Sequence, residues 1–336
     1  MKKLSVIDVL LFIVNSILAT LLLCSYLIPY VSPKHIATIS VLSLGMPLLL
    51  IANALFCLYW LVKLKKQLLL SLVVIAIGYQ HVHAFIKFSK ENTFLNDDIK
   101  IMSYNVRLFN IYKWSKDENI ESKIHDFIAQ KAPDVVSLQE YHRQSKKFKN
   151  YKHQYIKHNS AAIGLAILST YKIINKGSLD FQNSGNNAIF ADIVIHKDTV
   201  RFYNIHLQSL KIDKNKENFG ATDSENLLKT LKKHFKSQAI QVEQIVAHEK
   251  KCTYKTIFMG DFNNTAFSWV YKQLKNHKKD AFIEAGAGFG KSFDYIFPFR
   301  IDYILTHSEI EIHNFETYKL KYSDHYPVMA RINFTK

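Results

Sequence analysis

Three apolar runs, at residues 4–28, 36–62 and 68–88, fill most of the first quarter of this 336-residue chain. Each reaches the roughly 20 residues that a helix needs to cross a hydrocarbon core. Backbone groups in lipid must be satisfied internally, so such runs are confined to helices. Residues 1–88 are therefore expected to form a membrane anchor of three transmembrane helices. The last run carries Gln80, His81 and His83 in its final turns, which suits the membrane interface. Met1-Lys2-Lys3 before an apolar run also opens secretory signals, but this run is too long and lacks a small-residue cleavage pattern.

Flanking lysines orient the anchor. Lys2, Lys3, Lys63, Lys65 and Lys66 lie on one side, and Lys34, Lys87 and Lys90 on the other. The richer side is the cytoplasmic one. Everything after the third span is thus expected to face the periplasm or exterior of a cytoplasmic (inner) membrane.

The near-zero mean hydropathy of −0.05 averages this anchor with a mixed, soluble-type remainder. Beyond residue 96 the chain holds 36 basic and 26 acidic residues, a surplus of about +10. Such a charge attracts polyanions, either nucleic acid or an anionic membrane face. Cys252 is alone in this part, so no disulfide can form within it.

Residues 89–98 are polar and read as a linker; residues 99–336 alternate strand and helix patterns. Strands are expected at 99–106, 134–140, 164–168, 188–195, 200–207, 256–259, 301–305, 310–315 and 328–332. Ile120, Ile124, Phe127 and Ile128 repeat at helical spacing, and Pro133 ends that helix. A longer helix opens at Thr222, with Glu225 at capping-box spacing, and carries the stripe Leu228, Leu231, Phe235, Ala239, Val242 and Val246. Strands in two groups with helices between them imply two sheets packed face to face under helices.

Two runs near the end, Gly260-Asp261-Phe262-Asn263 and Ser323-Asp324-His325-Tyr326-Pro327, set carboxylates, a carboxamide and an imidazole at strand ends. That is the equipment for metal-assisted cleavage of a phosphate ester. Asp261 and Asn263 are two apart, so on an extended segment their side chains share a face. There the carboxylate can orient or deprotonate a water while the amide holds water or a phosphate oxygen.

Four further motifs, Ser103-Tyr104-Asn105-Val106, Leu138-Gln139-Glu140, Asn204-Ile205-His206-Leu207 and Arg300-Ile301-Asp302-Tyr303-Ile304, complete an ordered set of six. With them the chain from about residue 99 to 333 resembles the endonuclease/exonuclease/phosphatase superfamily, which includes deoxyribonucleases, abasic-site endonucleases, sphingomyelinases and inositol-polyphosphate phosphatases. The resemblance implies a four-layered α/β sandwich of two packed mixed β-sheets, with the active site at one end. It implies that Glu140 binds a divalent cation, Mg²⁺ or Mn²⁺, with Asn105 supporting it by ligation or hydrogen bonding and Asp324 as a further contact. It pairs Asp302 with His325, and makes His206 a second imidazole facing a phosphate oxygen.

Abasic-site enzymes of this type carry tyrosine where His206 stands, which argues against that role. The expected function is hydrolysis of a phosphodiester by a membrane-anchored enzyme, with nucleic acid slightly ahead of a phospholipid or sphingolipid head group. The rival is a non-catalytic membrane protein that binds a phosphorylated ligand; degenerate domains of that kind lose a metal acid or the Asp-His pair, and this chain has both. Aromatics at Phe289, Phe293, Tyr295, Phe297 and Phe299 precede Asp302 and suit base stacking, contact with lipid or ordinary packing.

Overall fold

The structure is a computed structural model that describes residues 4–90, 93–158, 163–211 and 221–334; the side chains of residues 221–223 lie outside the description, and with them the capping box expected at Thr222. The anchor opens with α1 (Val6–Ser25), whose N-cap Ser5 exchanges hydrogen bonds with Asp8 in a capping box. A short 3₁₀ turn, Ile28–Tyr30, and a loop lead into α2 (Ala37–Val62). Both helices are long and apolar enough to cross a membrane.

The third apolar run differs from expectation. It is a bent pair, α3 (Leu68–Ile77) and α4 (Tyr79–Phe85), with a 77° turn at Gly78. Tyr26, the residue that caps the C-terminus of α1, sits at the break. Its hydroxyl donates to the Val74 carbonyl at 3.0 Å, and the ring occupies the space that a Cβ at residue 78 would need. At 1.5 Å per residue α3 is about 15 Å long, roughly half a hydrocarbon core. The polar residues inside the apolar runs satisfy one another between helices. Asn15 donates to Ser71 at 2.6 Å, Ser71 to Asn53 at 2.9 Å and Trp60 to Asn15 at 2.8 Å. Buried between the helices, these bonds tie the three together.

Beyond the anchor the elements are β1 (Ile99–Asn105), α5 (Ile120–Lys131), β2 (Val135–His142), β3 (His153–His158), β4 (Ile163–Ser169), β5 (Ile173–Ser178), β6 (Asn187–Ile195), β7 (Asp198–His206), α6 (Ala221–Glu249), β8 (Lys255–Asp261), α7 (Trp269–Lys275), β9 (Lys279–Asp280), α8 (Ala281–Ala285), β10 (Asp302–Thr306), β11 (Ile310–Thr317) and β12 (Val328–Phe334). They build two mixed six-stranded sheets, ordered β11-β12-β1-β2-β4-β3 and β5-β6-β7-β8-β10-β9. Ile101, Val135, Ile167, Ile193, Phe202, Ile257 and Ile304 fill the space between them. Ile124, Phe127 and Ile128 of α5 pack on the outside of the first sheet against Met102 and Tyr104. This is the four-layered sandwich expected. Strands β3 and β5 escaped the sequence reading because one is only half-buried and the other half-buried to exposed, so neither shows a clean apolar alternation.

Anchor and sandwich share one apolar cluster. Leu22, Tyr26, Met46, Leu50 and Phe85 belong to the same buried group as Ala239 and Val242 of α6 and Phe258 of β8. At the end of the anchor Lys87 pairs with Gly288 backbone to backbone, and Lys90 makes a 2.8 Å ion pair with Glu316. The sandwich sits at the end of the anchor where α1 finishes and α2 begins: Lys34 pairs with Glu243 of α6 at 2.7 Å, and the Lys272 ammonium lies 4.2 Å from the Tyr30 ring centre.

Candidate active site

Each sheet contains one parallel pair at its centre, β1 with β2 and β7 with β8. Side chains at the carboxyl ends of these four strands meet where the sheets face each other, the usual ligand-binding edge of parallel strands. Asn105 ends β1, Glu140 lies near the end of β2, His206 ends β7 and Asp261 ends β8. Asp302 begins β10 directly opposite Asp261 in the register. His325 follows in the loop before β12.

Two local devices aim these groups. The β2–β4 register slips between Leu138 and Tyr141, and Glu140 there has φ 51°, so a bulge turns its carboxylate into the cleft. Gly260 has φ 143°, and a Cβ there would lie 1.9 Å from the Ile205 carbonyl oxygen. Only glycine lets β8 approach β7 this closely.

Asp261 is the hub. Its Oδ2 accepts from the amides of Asn105 and Asn263, each at 3.1 Å, and lies 3.6 Å from Nε2 of both His206 and His325. Its Oδ1 accepts the Asn263 backbone N–H at 2.8 Å. Asn105 also donates to Glu140 at 3.4 Å, and His206 Nε2 stands 4.0 Å from the same carboxylate. As oriented, Asn105 supports the acids by donation, its own oxygen being taken by the Arg107 N–H at 3.1 Å. Asp302 and His325 form the expected pair, Oδ2 to Nδ1, at 2.9 Å. Ser292 Oγ receives the Asp302 N–H, and Ser323 Oγ receives the His325 N–H while donating to the Asn105 carbonyl.

Glu140, His206, Asp261, Asn263, Asp324 and His325 line a cavity of about 140 Å³; Asn105 and Asp302 stand behind it. Thus all eight residues singled out in the sequence gather in one place. Asp324 lies at the rim, 3.3 Å from the Arg107 guanidinium. The sequence reading did not single out Arg107 or Leu44, and it named Ser323 only within a motif and Phe299 only within an aromatic run. Leu44 and Phe299 also line the cavity, and nothing in a run of leucines or aromatics marks one member as a wall residue.

Burial sets the charges. It pushes His206 down to about 3, helped by repulsion from His325, so His206 is neutral near pH 7. Burial opposes the charge on His325 too, but Asp302 and Asp261 overcome it and hold the ring well above the usual imidazole range. Both Asp261 and Glu140 are driven upward by burial, against the pull of His325. Asp324 adds repulsion at Glu140.

These oxygens fit a hard divalent cation, which takes carboxylates together with waters. Ligand atoms of Asp261, Asp302 and His325 all lie within 4.8 Å of one another, but Asp302 and His325 already satisfy each other. The seat with unspent charge is at Glu140, whose side chain is 28% exposed into the cleft, beside Asp261 and Asp324.

The sandwich is shared with solved structures of low identity. A humanized D. rerio TDP2 superposes with TM-score 0.55 at 16% identity, over 71% of this chain and 100% of the other. The human Nocturnin catalytic domain with bound sulfate anion gives 0.54 at 14%, over 74% and 98%. A Bacteroides thetaiotaomicron mannosyl-6-phosphatase gives 0.52 at 16%, over 70% and 100%. No match was found among curated proteins. A family model described as a domain of unknown function matches residues 8–85, the segment of apolar helices. The model of the Endonuclease/Exonuclease/phosphatase family matches residues 102–325, two thirds of the sequence and every site residue named above, and the chain belongs to that family of metal-dependent phosphoesterases.

Proposed function

We propose that this protein is a membrane-anchored, divalent-metal-dependent phosphoesterase that hydrolyses a phosphodiester outside the cytoplasmic membrane. Residues 1–88 serve as anchor, 89–98 as linker and 99–336 as the catalytic domain. The observation that carries the reading is the convergence of Glu140, His206, Asp261 and His325, from two sheets, on one small cavity. Asp261 accepts a hydrogen bond from the attacking water and holds it in line with phosphorus; Asn263 fixes that carboxylate through its backbone N–H and side-chain amide. Neutral His206 donates its N–H to one phosphate oxygen. His325, kept charged by Asp302, faces another and offsets the negative charge that grows in the transition state. Mg²⁺ or Mn²⁺ held by Glu140, with Asp324 beside it, would neutralise charge on the same phosphate oxygens.

The lysine asymmetry places the N-terminus inside. Docking of the sandwich at the opposite end of α1 supports an outward-facing domain, whether or not the bent third segment crosses the bilayer. A phosphatase-type reporter fused after Lys90 is active only if that end is exported, and an inactive fusion would reverse the orientation.

Full-length protein in detergent is tested on bis-p-nitrophenyl phosphate. Chelation abolishes turnover, and Mg²⁺ or Mn²⁺ restores it. E140A, D261A and H325A each lower turnover by at least ~100-fold, the scale of one positioned catalytic group. Undiminished turnover in any of the three removes the role given to that residue. Nucleic acid, favoured by the surplus positive charge of the domain, and a lipid head group both carry the bond this site needs; the walls around the mouth distinguish them.

A further inference from the structure

The anchor helix α2 forms part of the active-site wall. Leu44 lines the cavity together with Leu210, Phe293, Phe299 and Ile301, an apolar lining that reaches the imidazole of His325, whose ring centre lies 5.0 Å from that of Phe293. The contact is tied down on both flanks. Val41 and Leu44 pack on Leu231 and Phe235 of α6, and Thr265, two residues past Asn263, donates its hydroxyl to the Ser43 carbonyl at 3.3 Å.

Depth along α2 places this wall against the bilayer. Lipid-facing leucines run from Leu61, 53% exposed, to Leu42, 57% exposed. Nineteen steps of 1.5 Å make about 28 Å, close to the roughly 30 Å of a hydrocarbon core. Leu44 lies about 3 Å below Leu42, toward the bilayer centre. Exposed Tyr30 and Tyr79 mark the same end, as interfacial aromatics do, and α4 turns aside there. The loop that contributes Phe293 and Phe299 stacks Phe293, Tyr295 and Phe299 in sequence and exposes Ile296 to 81%.

We propose that the substrate is the phosphodiester of a two-chain membrane lipid, drawn sideways from the leaflet in which the anchor ends. This rests on the phosphoesterase reading above. The head group enters the polar half of the cavity while the glycerol or sphingoid end stays against Leu44 and Phe299. Water's oxygen forms the new bond to phosphorus, and the ester oxygen leaves with a proton. An alcohol and a phosphomonoester result, with no other reactant required. A nucleic-acid site would need a basic groove tracking the backbone. Among the described residues Lys211 is the only lysine or arginine that lines the cavity.

The test uses full-length protein reconstituted with Mg²⁺ into vesicles of phosphatidylethanolamine and phosphatidylglycerol, with sphingomyelin vesicles as a second arm; the two arms identify which lipid backbone supplies the head group. Three other substrates run in parallel: bis-p-nitrophenyl phosphate, plasmid DNA, and the same lipids in separate protein-free vesicles. Lipid in the enzyme's own bilayer is cut at least ten-fold faster than lipid in the separate vesicles or DNA at equal phosphate concentration. L44Q lowers the ratio of lipid to bis-p-nitrophenyl phosphate turnover at least five-fold; the wild-type comparison of own against separate bilayer stands without that variant. Turnover of bis-p-nitrophenyl phosphate with intact lipid in both arms, or faster cutting of DNA, overturns the lipid assignment and leaves the phosphoesterase reading standing. Absence of turnover on every substrate overturns both.

Discussion

Replacing Asp302 by asparagine isolates the pair that charges His325. The carboxylate and imidazole are both buried and 2.9 Å apart. Two unit charges about 4 Å apart attract by on the order of 4 kcal/mol at the effective dielectric of such sites. Asparagine keeps the shape and one oxygen acceptor but removes the charge. Asp261 stays 3.6 Å from the other nitrogen and retains part of the stabilisation. About 3–4 kcal/mol is then lost where the transition state needs the imidazolium, a drop of about 10²–10³ in kcat. Steady-state hydrolysis of bis-p-nitrophenyl phosphate by D302N is expected to show that fall in kcat, with KM within a few-fold and Tm close to wild type. A kcat within three-fold of wild type, at unchanged Tm, would refute a charged His325 sustained by Asp302.

Three further outcomes test the scaffold. G260A forces a Cβ against the Ile205 carbonyl at a positive φ and is expected to cost about 2–3 kcal/mol, read from denaturant midpoints. Arg300 and Asp280 are buried 2.7 Å apart, so R300M removes the counter-charge of a carboxylate that keeps only the Tyr271 hydroxyl and the Phe282 N–H, and should cost about 3–5 kcal/mol; unchanged stability would show that these two hydrogen bonds suffice for Asp280. Burial opposes charge on both His313 and Asp98, which lie 2.8 Å apart. The pairing with Asp98 and Glu311 still raises His313, while Leu95, Asn333 and His313 lower Asp98. The histidine's contribution is full below its ordinary 6.5 and fades as pH climbs through the higher folded value. The aspartate's is full above 3.8 and fades as pH falls through the lower folded value. H313Q should therefore lower Tm more at pH 5.5 than at pH 9, and an equal loss at both would exclude the pair as a pH-dependent contact.

Local patterning fixed much of this protein before any coordinates. Apolar runs of the length of a bilayer admit helices alone, and the largely apolar stretches of β1, β6 and β7 follow from strands buried on both faces over most of their length. Site residues were legible because the chemistry needs particular side chains at strand ends: Glu140, Asp261 and His325 stand out as residue types in short motifs. What the chain could not reveal alone is what depends on neighbours distant in sequence. The 77° break at Gly78 lies where Tyr26, 52 positions earlier, fills the space beside it. The charge of His325 and the neutrality of His206 arise from burial among partners drawn from both sheets. Leu44 looks like any other leucine in its span. Only the docking of α2 on α6 and on the loop after β8 makes it a wall of the cavity, because a side chain's surroundings are set by packing and not by its place in a periodic run.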